Sequence, residues 1–268
     1  MAEPDSRAFP LRGDALRQGE VGEAMCWSAS VSITMVGVGA VATGVVAARG
    51  QPRAIWLTLG YFTVMEALQA AGYAVVDQCG ATGNQAITLL SYLHIVFQPF
   101  FINAFAMELV PGPVKARLRR GVYLCCAASS AVMLAQLYPF EWAGSCRLGQ
   151  ALCGTELCLV SGEWHIAWSI PYNGLLRPLD DALGINSGFP TYLLVAFLLP
   201  LAYGAWRMVI FHALAGPILA DALTGNPNEA PAVWCLFSIG ILLIGSSPLI
   251  RQHFETTTWW AWPKSWQS

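Results

Sequence analysis

The feature that most constrains this chain is the length of its apolar runs. Several stretches of roughly 17 to 25 residues pass with almost no charge, the length a helix needs to cross about 30 Å of hydrocarbon. Only 11% of the 268 residues are charged and 56% are hydrophobic, against roughly 25% charged in an ordinary soluble domain. The expected fold class is therefore all-α, a polytopic transmembrane helix bundle with the lipid bilayer as its solvent. A net charge of -2 supplies no broad basic face, which argues against nucleic acid as a partner.

The spans read as Ala29 to Ala48, Ala54 to Val76, Gln85 to Leu109, Val122 to Tyr138, Thr191 to Phe211 and Ala232 to Ile250. Six is the favoured count. Met208 to Leu223 could cross again and make seven. Residues 1–24 are polar and read as a disordered tail, 25–250 as the membrane domain and 251–268 as an aromatic interfacial tail. Pro111 to Gly121, with Lys115, Arg117, Arg119 and Arg120, reads as a cytoplasmic loop by the positive-inside rule, and Arg49 and Arg53 agree with it. This predicts a multipass protein of the plasma (inner) membrane with its amino terminus extracytoplasmic and, for six spans, its carboxyl tail on that same side.

The connection from about 139 to 190 is then an extracytoplasmic loop of about fifty residues, a length usually tied to function. Its Trp142, Trp164, Trp168 and Tyr172 predict short amphipathic helices lying in the headgroup layer. Cys79, Cys146, Cys153 and Cys158 all fall on the oxidising side and predict two disulfides, with three pairings open. A bridge from Cys79 would pin the loop over the second and third spans. Cys125, Cys126 and Cys235 lie in spans and read as buried apolar residues.

Charge and imidazole inside hydrocarbon are costly and mark functional groups. Glu66 sits near the middle of the second span, and the hairpin places it near the depth of Ile95, beside His94. Ser91, His94 and Gln98 share a face of the third span, Gln69, Tyr73 and Asp77 continue the face of Glu66, and Asn103 and Glu108 extend the polarity inward. Pro99 should bend the third span at this level and make room for a ligand or water.

Glu66, His94 and Gln98 are the candidate catalytic groups, with Ser91, Asn103, Gln69 and Tyr73 as ligand-binding candidates. A metal would need a third ligand, from Glu163 or His165 in the loop, to join His94. The cofactor is left unknown. His212 and His253 read as interfacial packing near helix ends, so bis-histidine haem sites lack their ligands. Lys115 and Lys264 are the only lysines and neither lies in a span, which excludes a retinal Schiff base.

Met25, Cys26, Trp27 and Ser28, with the strings from Ser91 to Asn103 and from Asn226 to Phe237, resemble a bacterial family of uncharacterised multipass proteins that opens on a Met-Cys-x-Ser motif. The resemblance implies a membrane fold and Met25 as the common start, and brings no activity. A looser likeness to the seven-span zinc hydrolases of the alkaline ceramidase group fails at the late His-x-x-x-His pair, so no zinc site is carried over. Three functions fit these residues: a membrane enzyme or redox protein acting on an apolar substrate, a transporter or proton-coupled channel, and a non-catalytic subunit or assembly factor of a membrane complex with other membrane-protein partners.

Overall fold

The computed structural model describes residues 28–236 and 238–266; the amino-terminal tail and Met25 to Trp27 lie outside them. Helix α1 (Ala29–Ala48) has the bounds expected of the first span. It packs on α2 (Arg53–Gly72), which packs on α3 (Thr82–Ala106), and α3 packs on α4 (Gly112–Ala135). The basic segment after Pro111 is therefore not a loop. Pro113, which needs no intrahelical hydrogen-bond donor at a helix start, opens α4, and Lys115 to Arg120 form its first turns. Glu108 neutralises Lys115 at 2.5 Å.

The run expected to be one fifth span is two helices. Helix α6 (Pro190–Ala202) ends at a turn through Gly204 (φ 97°), with Ala205 N–H donating to the Pro200 carbonyl, and α7 (Trp206–Leu223) returns beside it. Phe197 stacks on His212 with ring centroids 4.6 Å apart, which fixes the two as an antiparallel pair. Each contains one turn widened to π geometry, Leu194–Leu198 just before Pro200 and Leu214–Ile218 around Pro217. A proline without an N–H disturbs the ladder at just such points.

Helices α8 (Ala230–Leu236) and α9 (Ser238–Ser246) close the ring, α8 against α7 and α2 and α9 against α1 and α2, and α10 (Pro248–Arg251) follows. Among the described residues four helical stretches are long and apolar enough to cross a membrane: Ala29–Ala48, Thr82–Leu109, Gly112–Ala135 and Trp206–Leu223.

The extra return of α7 reverses the end at which the chain finishes. Arg251 donates to Gln51, Arg207 to the carbonyls of His253 and Glu255, Thr256 N–H to Leu109, and Arg117 lies over the Trp266 ring. The aromatic tail thus covers the basic end of the bundle, not the opposite end expected from six spans.

The loop from 139 to 190 is a folded cap rather than a set of surface helices. It holds an antiparallel hairpin, β1 (Cys158–Ser161) and β2 (Ile166–Ser169), and the short α5 (Arg177–Leu183), so the chain is not purely helical. Trp168 and Tyr172 are buried in the core that runs from cap to bundle, Trp164 is half-buried and Trp142 remains exposed.

Two disulfides form, Cys79–Cys158 and Cys146–Cys153, and the first ties β1 to the turn between α2 and α3. Beside it Asn84 acts as a further strand partner, its Nδ2 donating to the Leu159 and Val75 carbonyls and its Oδ1 accepting from Leu159 N–H. Buried Asp180 holds the cap's far side, accepting from Gln150, Ser187 and Gly188. Of the three cysteines expected to be buried, Cys126 and Cys235 are and Cys125 is exposed on the surface of α4.

Candidate functional site

Two contacts set the register of α2 on α3. Thr58 Oγ1 donates to the Phe101 carbonyl at 3.0 Å near one end, and Asn84 Nδ2 to the Val75 carbonyl at 2.7 Å near the other. Between them antiparallel helices place Glu66 level with Leu93 and His94, and Gln69 level with Leu90 and Ser91. All four polar residues are buried. Glu66 Oε2, Gln69 Nε2, Ser91 Oγ and His94 Nε2 have no hydrogen-bond partner in the protein, so Glu66 and His94 share a depth without pairing through these atoms. Tyr61 stacks on the His94 ring at 3.8 Å and on Phe101 at 3.7 Å, and its hydroxyl donates to the His94 carbonyl.

The cap adds a second imidazole directly above. His165, 0% exposed, lies 2.8 Å through Nδ1 from the Tyr73 hydroxyl and 3.2 Å through Nε2 from Gln69 Oε1. The amide oxygen can only accept, so Nε2 carries the proton and Nδ1 accepts from Tyr73. Burial pushes the His165 pKa down to about 3, which keeps the ring neutral. A line of exchangeable groups therefore runs from Tyr73 and His165 through Gln69 toward Glu66, one turn further along α2.

Glu229, just before α8, fixes His165 in place. Its buried carboxylate accepts from the backbone N–H groups of Glu163, Trp164 and His165 and from the Thr224 hydroxyl. Four donors on one carboxylate clamp the hairpin turn to the loop between α7 and α8. The turn needs glycine at 162, where a Cβ would stand 2.5 Å from the His165 carbonyl oxygen and 2.6 Å from the Glu229 carboxyl carbon.

The other expected residues divide. Gln98 is buried and accepts from the Tyr192 hydroxyl at 2.6 Å, next to a cavity of about 110 Å3 between α3, α4, α6 and α8 whose walls include Ile95, Met133, Leu152 and Trp234. Asn103 is fully engaged: Nδ2 donates to the Pro99 and Val195 carbonyls and Oδ1 accepts from Tyr203, so its work is to join α3 to α6. Asp77 leaves the stripe because α2 ends at Gly72; at φ 62° it turns outward and accepts from Ser161 N–H and Oγ. Glu163 is exposed and contributes its backbone alone to the Glu229 clamp. Cys153 and Cys158 are consumed by disulfides, and the described residues contain no cluster of three His, Cys, Asp or Glu side chains able to hold a metal.

Sequence reasoning missed His212. It is buried mid-bundle, stacked on Phe197 and accepting from Trp234 Nε1 at 3.2 Å, and not at an interface. Reading Met208 to Leu223 as a helix of its own places it there. Glu229 was visible only as part of a helix-start signal, and its capping of a loop 64 residues away in sequence leaves no local trace.

No curated protein and no solved structure matches the chain. Its residues 30–255 match the family described as "Family of unknown function (DUF5765)". With most of its length covered, from the start of α1 through the tail segment that closes the basic end, the chain belongs to that family.

Proposed function

We propose that this protein is an integral membrane enzyme or redox protein that handles a lipid-soluble substrate at the α2–α3 site, beneath a disulfide-locked extracytoplasmic cap. The carrying observation is the set of four unpaired, buried polar atoms on Glu66, Gln69, Ser91 and His94. Each such group costs roughly 1 to 3 kcal/mol of desolvation if nothing answers it, and four within one turn of the α2–α3 hairpin support a place where a ligand does.

In this reading the Glu66 carboxyl and the His94 imidazole move protons at the substrate. Ser91 and Gln69 bind and orient its polar atoms, and the cap excludes water from above. The disulfides lie at the end of the bundle opposite Arg49, Arg53 and the Lys115 to Arg120 turns. Oxidising chemistry at one end and positive charge at the other support seven crossings, with the amino terminus outside, the tail in the cytoplasm and the plasma membrane as location. Trp260, 85% exposed on that tail, favours an additional contact there with another membrane subunit.

The test is Glu66→Gln and His94→Ala in protein purified gently from its own membranes, read by thermal stability and by mass spectrometry of copurified small molecules. A functional site loses its copurified ligand, and with it the ligand's contribution to melting, while the ligand-free variant stays as stable as ligand-free wild type. A helix-locking network instead loses roughly 1 to 3 kcal/mol per substitution and no ligand, and that result would overturn the proposal.

A further inference from the structure

The two disulfides do different work. Cys79–Cys158 joins segments 79 residues apart and ties the cap to the bundle. Cys146–Cys153 spans only 7 residues, within the cap, and closes a loop that other bonds already hold. Cys146 N–H donates to the Tyr172 carbonyl, Cys153 N–H to Gln150 and Ile170 N–H to Leu152, while the Gln150 amide reaches Asp180 and Arg147 pairs with Asp181. That network keeps both ends in place with the sulfurs apart. Both cysteines line an open groove of about 620 Å3 on the cap. Cys146 is half-buried and Cys153 buried, so a reagent in the groove meets Cys146 first. Directly before Cys153, Leu152 is held at φ 64°, a left-handed conformation uncommon for leucine, and such strain gathers at working sites.

We propose that Cys146–Cys153 is an exchangeable disulfide, and that the groove docks an extended polypeptide segment bearing two thiols and apolar side chains, which the cap oxidises. This activity is separate from the α2–α3 site and stands without it. The rim names the partner: Tyr138 and Leu148 are 63% and 77% exposed, and Phe140 packs on Tyr138 at 4.8 Å. Exposed side chains of this kind seat apolar residues of a partner, and the exposed Glu141 carboxylate accepts from a peptide N–H. A disulfide in the same wall reacts with thiols. A thiolate of the segment attacks Cys146 Sγ, the bond to Cys153 breaks, and Cys153 leaves as a thiolate that takes a proton from solvent. The segment's second thiol, deprotonated in turn, attacks its own sulfur in the mixed disulfide and releases Cys146, which is also protonated. The segment gains a disulfide and loses two electrons and two protons; the cap gains both and holds two thiols.

The experiment uses the full chain in phosphatidylcholine nanodiscs, in a Cys26→Ser, Cys125→Ser background free of the thiol nearest the amino terminus and of the exposed thiol on α4. The probe is a short reduced peptide with two cysteines among leucine and phenylalanine; its control has serine at the apolar positions. Alkylation and mass spectrometry report which cysteines have opened. The expected result is a peptide recovered as its disulfide, with label on Cys146 and Cys153 and none on Cys79 or Cys158. Peptides spanning 158–169 should keep their hydrogen-exchange protection throughout. The apolar peptide should react about tenfold faster than its control, and Tyr138→Ser with Leu148→Ser should remove that advantage at an unchanged melting temperature.

Opening of Cys79–Cys158 first, or no opening at all, would overturn the proposal, as would loss of hairpin protection when Cys146–Cys153 opens, since the short bridge would then be structural. Equal rates for the two peptides would overturn the docking groove. The attacked sulfur is read separately: a peptide activated as its thionitrobenzoate disulfide should couple to Cys146 in Cys153→Ser about tenfold faster than to Cys153 in Cys146→Ser, and the reverse order would overturn the assignment of Cys146.

Discussion

Acid should open the cap before it unfolds the bundle. His165 is buried and neutral, its pKa pushed down to about 3 by burial, while an imidazole released to water titrates near ~6.5. The open state therefore binds a proton that the closed state refuses. The contribution is fully present above about pH 6.5 and is lost as pH falls from there toward 3, at about 1.4 kcal/mol per pH unit. By pH 5 the closed cap should have lost about 2 kcal/mol relative to pH 7.5, a roughly 30-fold rise in the open population.

The carboxylates near the ring are those of Glu229, which accepts from His165 N–H, and Glu66, one turn beyond Gln69 on α2; both act on Tyr73, the ring's hydrogen-bond partner, while Glu163 and Asp77 are exposed. The imidazole contribution is isolated by His165→Gln, which retains hydrogen-bonding capacity without titrating. The assay is hydrogen exchange of peptides spanning 158–169, corrected for intrinsic rates, at pH 7.5 and 5. Wild type should exchange about 30-fold faster at pH 5 after correction, and His165→Gln should show no such change. Equal protection of the wild-type hairpin at both pH values, or the same acid sensitivity in His165→Gln, would refute the burial argument.

Three further outcomes follow from the cap's attachments. Glu229→Ala strands three backbone donors and a hydroxyl and should lower stability by at least about 3 kcal/mol, seen as a fall in melting temperature with early loss of hairpin protection. In the chain-entropy limit, a paired Cys→Ser replacement at 79 and 158, 79 residues apart, removes about 4.5 kcal/mol, against about 2.4 kcal/mol for the pair at 146 and 153, 7 apart; equal melting temperatures of the two variants would show that the long bridge does not hold the cap. Gly162→Ala forces a Cβ against the His165 carbonyl and the Glu229 carboxyl and should cost about 1 to 3 kcal/mol, whereas Gly37→Ala, inside α1 with open space around it, should if anything raise melting, by up to about 1 kcal/mol of helix propensity.

What the sequence shows clearly is whatever hydropathy and charge record locally. The first helix, the depth of Glu66 against His94 and the bridging of the four loop cysteines were all legible that way. The α6–α7 turn was not, because Leu201 to Ala205 is as apolar as the helices it joins; only Pro200 followed by Gly204 hints that the chain reverses. That single turn moves the tail to the other end and His212 to the middle of the bundle. Basic residues from Lys115 to Arg120 mark a side of the membrane and carry no information on whether the backbone there is loop or helix, and here it is helix. The cap's hairpin was hidden too: four-residue strands are too short to show an alternation, and their partners, Asn84 and Glu229, stand far away in sequence.

The case for a ligand at α2–α3 rests on a contrast within the molecule. Several buried polar groups elsewhere are answered in full: Asn103 makes three side-chain hydrogen bonds, Asn84 four, and Asp180 and Glu229 each gather at least three donors. Other unanswered buried atoms, among them the hydroxyls of Thr43, Ser129 and Thr191 and the indole N–H of Trp168, are scattered over separate elements. A chain that closes its networks with three and four partners has the means to close this one, and Tyr61 already reaches the His94 carbonyl without satisfying its ring. Leaving a carboxyl oxygen, an amide nitrogen, a hydroxyl and an imidazole nitrogen open within one helical turn, under a cap clamped by a bridge and a buried carboxylate, costs stability that packing alone does not return. A bound polar group returns it, so filling the site should raise the melting temperature of the wild-type protein and leave that of the doubly substituted Glu66→Gln, His94→Ala protein where it was.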